Sequence, residues 1–142
     1  KDANSTEFDL ETSNPVIDII ESQKGLQETG GTMRLGGYRC SLSPESLAKK
    51  VYGKEEIIER HRHRYEFNDY FKETLNSNGF ITSGICPDNN LVEISEIKDH
   101  PYMIGSQFHP EFGSRLDKPH PLFDSFIKAC INQKKIGAQF KL

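Results

Sequence analysis

Gln107-Phe108-His109-Pro110-Glu111 sets an imidazole and a carboxylate two residues apart, at the end of an apolar strand-like run, Tyr102-Met103-Ile104-Gly105-Ser106. Proton transfer by histidine needs a carboxylate to fix the ring tautomer and stabilise the imidazolium, and a nucleophile within reach of the other ring nitrogen. The pentapeptide supplies the first two groups and not the third. Proline between them ends strand pairing because it has no amide hydrogen, so both side chains are expected to project from a strand terminus, where α/β enzymes place their sites.

A second cluster is Glu59-Arg60-His61-Arg62-His63-Arg64-Tyr65-Glu66. In a strand, Arg60, Arg62 and Arg64 would share one face, with His61, His63 and Tyr65 on the other. Four readings stay open on residue types alone. The arginines could hold a phosphate or carboxylate bidentately, or a basic stripe could bind nucleic acid. His61 and His63 could chelate a metal, or the charges could pair with Glu55, Glu56, Glu59 and Glu66. The acidic surroundings and the lack of an aromatic-basic repeat argue against nucleic acid, and no third ligand at a typical spacing supports a metal.

Cys40, Cys86 and Cys130 are odd in number and far apart, so neither a disulfide framework nor a zinc site is indicated. Gly84-Ile85-Cys86-Pro87 superficially resembles a nucleophile elbow, but Pro87-Asp88 replaces the small residue that the strained strand-to-helix turn needs. Cys130 falls on an apolar helix face and Cys40 alternates with apolar neighbours; both read as core. The net charge of −3 gives no global attraction to nucleic acid or anionic membranes. No apolar run approaches the roughly 18 residues of a spanning helix and the start has no signal-peptide core. A soluble, cytoplasmic protein is expected. The first residue is not Met and lies in a polar stretch, which suits an internal cut better than a natural start.

The elements that must position these groups are legible in outline. At 142 residues the chain can form one ordinary domain. Residues 1-14 read as loop, and Pro15 to Ile20 as a buried strand. Thr32 to Leu42 reads as a bent strand or hairpin with a bulge at Gly36-Gly37. Ser43-Pro44-Glu45 signals a helix start, with Gly53 ending that helix after Tyr52. Asp69 to Asn78 has helical spacing and ends at Gly79. Phe80 to Ile97 reads as two strands around Pro87-Asp88-Asn89-Asn90, and Tyr102 to Phe108 as another. Pro121 opens an amphipathic helix with Leu122, Phe123, Phe126, Ile127, Cys130 and Ile131 as its apolar stripe. Residues 133-142 read as a basic, frayed tail.

Taken together, Asn4-Ser5-Thr6-Glu7-Phe8, Gly30-Gly31-Thr32-Met33-Arg34-Leu35-Gly36, the Glu59 to Glu66 run, Leu91-Val92-Glu93-Ile94 and Gln107-Phe108-His109-Pro110-Glu111-Phe112 occur in this order and closely resemble the C-terminal glutamine amidotransferase domain of the CTP synthase family, from about residue 2 to residue 131. The resemblance implies part of a class I (triad) amidotransferase domain. Its fold would be flavodoxin-like α/β, a mixed and largely parallel sheet flanked by helices with additional hairpin strands. It assigns His109 as base and Glu111 as its orienter. It places Glu7 at the α-ammonium and Arg64 at the α-carboxylate of L-glutamine. The family's G-x-C-x-G nucleophile elbow does not occur in this sequence. The resemblance therefore implies an upstream amidotransferase segment and a synthase domain as partners, with glutamine-derived ammonia passed to UTP. It implies no cofactor in this chain, ATP and Mg2+ for the synthase domain, GTP as allosteric effector, and a homo-oligomeric parent enzyme. The rival readings are a degenerate, non-catalytic module used for binding or assembly, and another triad amidotransferase such as a GMP synthetase subunit, which leaves the arginine run without a role.

Overall fold

The computed structural model describes residues 2–19 and 33–139. Ile20, the Gln23 to Gly31 excursion, Gly30-Gly31-Thr32 of the glycine motif and residues 140–142 lie outside the described residues.

Among the described residues, eight strands and three α-helices follow in the order β1 (Asn4–Ser5), β2 (Pro15–Ile19), β3 (Arg34–Leu42), α1 (Leu47–Tyr52), β4 (Glu56–His63), β5 (Tyr65–Phe67), α2 (Lys72–Ser77), β6 (Phe80–Ile85), β7 (Val92–Ile97), β8 (Ile104–Ser106) and α3 (Pro121–Gln139). A five-stranded sheet has the order β4-β3-β6-β7-β8, and a three-stranded sheet the order β1-β2-β5. Of the largely parallel pairing expected, only the β1–β2 ladder is parallel among the described residues; the others are antiparallel. Short turns such as 87–90 between β6 and β7 can join only antiparallel neighbours. The core comprises Cys40, Leu42, Ala48, Ile57, Ile94, Phe108 and Leu122.

Several expectations are corrected. β3 pairs with β4 continuously from Arg34 opposite His63 to Ser41 opposite Glu56, so the glycines introduce no bulge. Gly36 adopts a φ of 101°, open to glycine, and stays in register. The inward side of β3 carries Arg34, Tyr38, Cys40 and Leu42, while Leu35 faces out. The run 59–68 is not one strand. β4 ends at His63 and β5 begins at Tyr65 in the other sheet, with Arg64 as the junction. β2 is half-buried along its length rather than buried, and β8 spans three residues rather than seven.

The first helix starts three residues later than its sequence signal. The Ser43 amide donates to the Ser83 carbonyl at 2.9 Å, which keeps Ser43 tied to β6. Ser46 is the cap instead: its Oγ accepts from the Lys49 amide. The Glu96 carboxylate, 48 and 49 positions away in sequence, accepts from the Leu47 and Ala48 amides at 2.9 and 3.2 Å. Gly53 ends α1 in the left-handed conformation as expected, φ 66°.

The start of α3 is held by His120, whose Nδ1 accepts from the Leu122 amide at 3.3 Å and whose Nε2 therefore donates to Glu59 Oε1 at 2.9 Å. Beyond Leu122 the apolar stripe is not core: Phe123, Phe126, Ile127 and Ile131 are about half exposed and Cys130 is exposed. Helix α3 also continues through most of the expected frayed tail, to Gln139. Among the described residues of α3, Leu122 is the one in the core cluster.

Two outcomes follow. A thiol reagent should label Cys130 rapidly in the native chain and reach Cys40 and Cys86, both fully buried, only on unfolding; native labelling of Cys86 would contradict this packing. At Gly84 an added Cβ would sit 2.7 Å from Cys40 Sγ and 2.9 Å from Ile94 Cβ, so Gly84→Ala should lower unfolding stability by about 1–3 kcal/mol in a denaturant titration.

Candidate active site

His109 follows β8 and caps a short 3₁₀ turn, Pro110–Gly113, which Pro110 opens. Its amide donates to the Arg60 carbonyl at 2.9 Å, fastening the base segment to β4. The two-residue spacing has the geometry expected of it: His109 Nδ1 lies 2.7 Å from Glu111 Oε1. A carboxylate at that distance accepts a hydrogen bond from a protonated Nδ1, leaving Nε2 as the basic nitrogen. The hydrogen bond from His109 holds Glu111 below the usual carboxylate range. The ring stacks on Phe112 at 5.2 Å, and its side chain remains about one-third exposed.

Glu7 and Arg64 are placed by the smaller sheet. β1 runs parallel to β2, and β2 antiparallel to β5, with Ser5 beside Ile17 and Ile19 opposite Tyr65. The turn after β1 and the residue before β5 therefore lie toward the same end of that sheet. Glu7 is exposed there, its amide donating to Ser5 Oγ at 3.1 Å, and Arg64 is half-buried at the junction between the sheets. Arg60 and Arg62 are exposed on β4 and line an open cleft of about 590 Å³ with Leu35, Gly36 and Phe112. The three arginines thus do not form a single face: the break at Arg64 separates it from the other two. The acids also pair elsewhere, Glu66 with Arg34, Glu59 with His120, Glu55 with Lys49 and Glu56 with Arg39.

Beneath the base segment lies a buried polar cluster. Arg34 Nη1 is 3.3 Å from Glu66 Oε1, and its Nη2 is 2.6 Å from Glu93 Oε1 with the N–H poorly aligned, so the second contact is close but lacks hydrogen-bond geometry. All three side chains are at most 5% exposed. The guanidinium also covers the Tyr38 ring at 4.2 Å. Gln107 ties this cluster to the base segment, its amide donating to the Glu93 carbonyl at 2.9 Å and its Nε2 to Glu66 Oε2 at 3.4 Å. Burial pushes Glu66 up to about 7 against the pull of Arg34, and pushes Glu93 up as well. Burial holds His61 down to about 3 and His63 to about 4. Neither Arg34 nor Glu93 stands out in sequence as a site residue; the one signal is a charged residue in an otherwise apolar alternation. Cys40, in the core, is pushed up to about 12 by burial and is inert. Among the described residues no group of three or more His, Cys, Asp or Glu is arranged to hold a metal ion.

A carboxylate-oriented histidine on the loop after a strand of an α/β domain has the geometry that a general base needs. The chain belongs to the glutamine amidotransferase class-I family, whose profile matches residues 10–129. It is 56% identical over 139 residues to the CTP synthase of Caldanaerobacter subterraneus subsp. tengcongensis, covering 98% of this chain and 26% of that protein. It is 55% identical over 133 residues to the CTP synthase of Methanothermobacter thermautotrophicus, covering 94% and 25%. The chain thus spans about a quarter of the length of these relatives. Among solved structures it resembles a "Trypanosoma brucei CTPS - glutaminase domain with bound acivicin", with a TM-score of 0.83 at 31% identity over 92% of this chain and 51% of that one. A putative gmp synthase subunit a protein from Thermoplasma acidophilum shares the fold alone, at TM-score 0.53 and 19% identity over 75% and 48%.

The cluster gives stability two pH arms. Glu66, raised from the ordinary 4.5 to about 7, takes up a proton on folding, so its contribution is fully present below 4.5 and is lost as pH rises toward 7. His61 and His63, lowered from 6.5, contribute stability present above 6.5 and lost as pH falls through 4 and 3. Melting curves should show Glu66→Gln flattening the arm between 4.5 and 7 while leaving the acid arm in place. An unchanged upper arm would mean that Glu66 is not the group responsible.

Proposed function

We propose that this chain is the base-bearing part of the glutamine-hydrolysing half of a CTP synthase, which supplies ammonia for the ATP-dependent amination of UTP to CTP. The observation that carries this reading is the 2.7 Å contact from His109 Nδ1 to Glu111 Oε1, in a chain related along nearly its whole length to CTP synthases.

His109 Nε2 takes the proton of a cysteine thiol supplied by an upstream segment of the same protein. The thiolate sulfur adds to the glutamine side-chain carbonyl, and His109 returns the proton to the amide nitrogen as the C–N bond breaks. Ammonia leaves, and water cleaves the thioester to glutamate. Glu111 keeps the proton on Nδ1 and stabilises the imidazolium between the two transfers. Glu7 receives the substrate α-ammonium and Arg64 the α-carboxylate; their placement at one end of the three-stranded sheet supports this pairing. Cys40 and Cys86 are buried and Cys130 lies on α3, which supports a nucleophile from outside this chain and inactivity of the chain by itself.

ATP and Mg2+ belong in this reading to the synthase half, which also binds UTP, the ammonia acceptor. GTP activation, a homo-oligomeric parent and a cytoplasmic setting complete the proposal. No helix among the described residues is long and apolar enough to cross a membrane. The competing degenerate module has no physical need for a base, its orienter and two opposite charges at one sheet end.

In the complete protein, His109→Ala should abolish CTP formation from glutamine and leave formation from free ammonia nearly intact, since ammonia bypasses acyl transfer. Equal loss with both nitrogen donors would make His109 a structural residue. Arg64→Ala should cost about 1.5 to 3 kcal/mol, roughly a 10- to 150-fold loss in glutamine kcat/KM. Arg64→Lys should recover part of it, because an ammonium cannot reproduce the planar fork. An Arg64→Ala enzyme with unchanged glutamine kinetics would remove Arg64 from the site.

A further inference from the structure

Three contacts run in line through the buried cluster. His63 Nδ1 lies 3.0 Å from the Tyr65 carbonyl oxygen, His61 Nδ1 lies 2.7 Å from His63 Nε2, and His61 Nε2 lies 3.5 Å from Glu93 Oε2. Both ends of this line, a carbonyl and a carboxyl, are acceptors. Each contact needs one proton, and two neutral imidazoles carry only two. The carbonyl can only accept, so His63 Nδ1 is protonated. His63 Nε2 then accepts from His61 Nδ1, and His61 Nε2 is left with a lone pair facing Glu93. Against an ionised Glu93 this would set a lone pair beside a buried negative oxygen. His61 Nε2 and both Glu93 carboxyl oxygens are indeed without a hydrogen-bond partner, at 1% and 0% side-chain exposure.

Charge balance reaches the same count independently. Arg34 is the cation that contacts both Glu66 and Glu93, so two ionised acids would leave a net negative charge in a site closed to water. The other titratable neighbours do not offset it. Tyr38, edge-on to His61 at 5.3 Å, is no cation; Cys86, just after β6, is none either; and His109 adds a further repulsion to both histidines.

We propose that Glu93 is carried as the neutral acid, donating its proton to His61 Nε2, and that Glu93, His61 and His63 form a proton-completed relay that positions the base segment Gln107–His109. The relay brackets that segment on two sides. The Glu93 carbonyl accepts from the Gln107 amide, and the His61 ring packs edge-on against Phe108 at 5.9 Å. The next peptide along from His61, at Arg60, accepts from the His109 amide. With Glu93 neutral, Arg34 and Glu66 become a one-to-one pair, and the repulsion that Glu93 would exert on Glu66 is removed. Burial raises Glu93 against the pull of Arg34 and lowers both histidines, in the directions this arrangement requires. Glu93 and His61 are positioning residues; neither touches the reacting atoms.

The test is nuclear magnetic resonance on the chain itself, and it assumes nothing about the reaction. At pH 8, above the value of about 7 to which Glu66 is pushed, the side-chain carboxyl carbon of Glu93 should show the chemical shift of a carboxylic acid. His61 and His63 should both be neutral with Nδ1 protonated. At higher pH the Gln107 and His109 amides should move together as Glu93 ionises, and this inflection should vanish in Glu93→Gln, which keeps a donor for His61 Nε2. A carboxylate shift for Glu93 at pH 8, or an imidazolium at His61, overturns the protonation assignment in the unmodified chain without any variant. Amides that show no inflection, or the same inflection in Glu93→Gln, overturn the coupling to the base segment.

Discussion

Arg34 buried between Glu66 and Glu93 is the contact on which the remaining geometry depends, because it ties β3 and β7 of the large sheet to β5 of the small one, which no backbone ladder among the described residues does. β3 belongs to the large sheet and β5 to the small one, and the guanidinium bridges them through Glu66 while reaching β7 through Glu93. Breaking one partner of such a buried pair typically costs about 3–5 kcal/mol, chiefly through the stranded charge. The bridge therefore specifies one relative placement of the sheets. Arg64 sits at their junction and His109 is bonded to β4, so the placement of both depends on that choice.

Chemistry and rigidity are separated by depth. The Arg34 cluster and His61 are closed to solvent, whereas His109 and Glu111 above them stay accessible. In the proposed reaction the base must reach its substrate and give up its proton in every turnover, so it cannot be buried with its supports. The connection between the layers is made through Gln107, whose amide and side chain bond to Glu93 and Glu66. It is also made through the His109 amide on Arg60. Ordering the backbone from Gln107 to His109 leaves Glu111 the ring orientation to set.

What could be read from the sequence was local chemistry, and what could not was long-range compensation. His109 and Glu111 are two residues apart and make their contact within one turn, so their pairing was legible. The alternation of His61 and His63 against Arg60 and Arg62 was legible for the same reason and stopped being so at Arg64, where the chain changes sheets. Arg34 and Glu93 were missed as a cluster because a charge in a strand ordinarily points outward, and only the other member, 59 positions away, reverses that. The start of α1 moved from Ser43 to Ser46 for a like reason: Glu96 caps it from β7. Cys130 follows the helical period of the apolar stripe, but periodicity does not say which face is covered, and the described chain leaves that stripe half exposed.

The most direct test of the central claim, that Glu111 holds His109 in the tautomer an acyl-transfer base requires, is the long-range proton-nitrogen correlation spectrum of the His109 ring. The account predicts a neutral ring protonated at Nδ1 with Nε2 bare, and loss of that preference in Glu111→Ala. A ring protonated at Nε2, or a tautomer balance indifferent to Glu111, would contradict it.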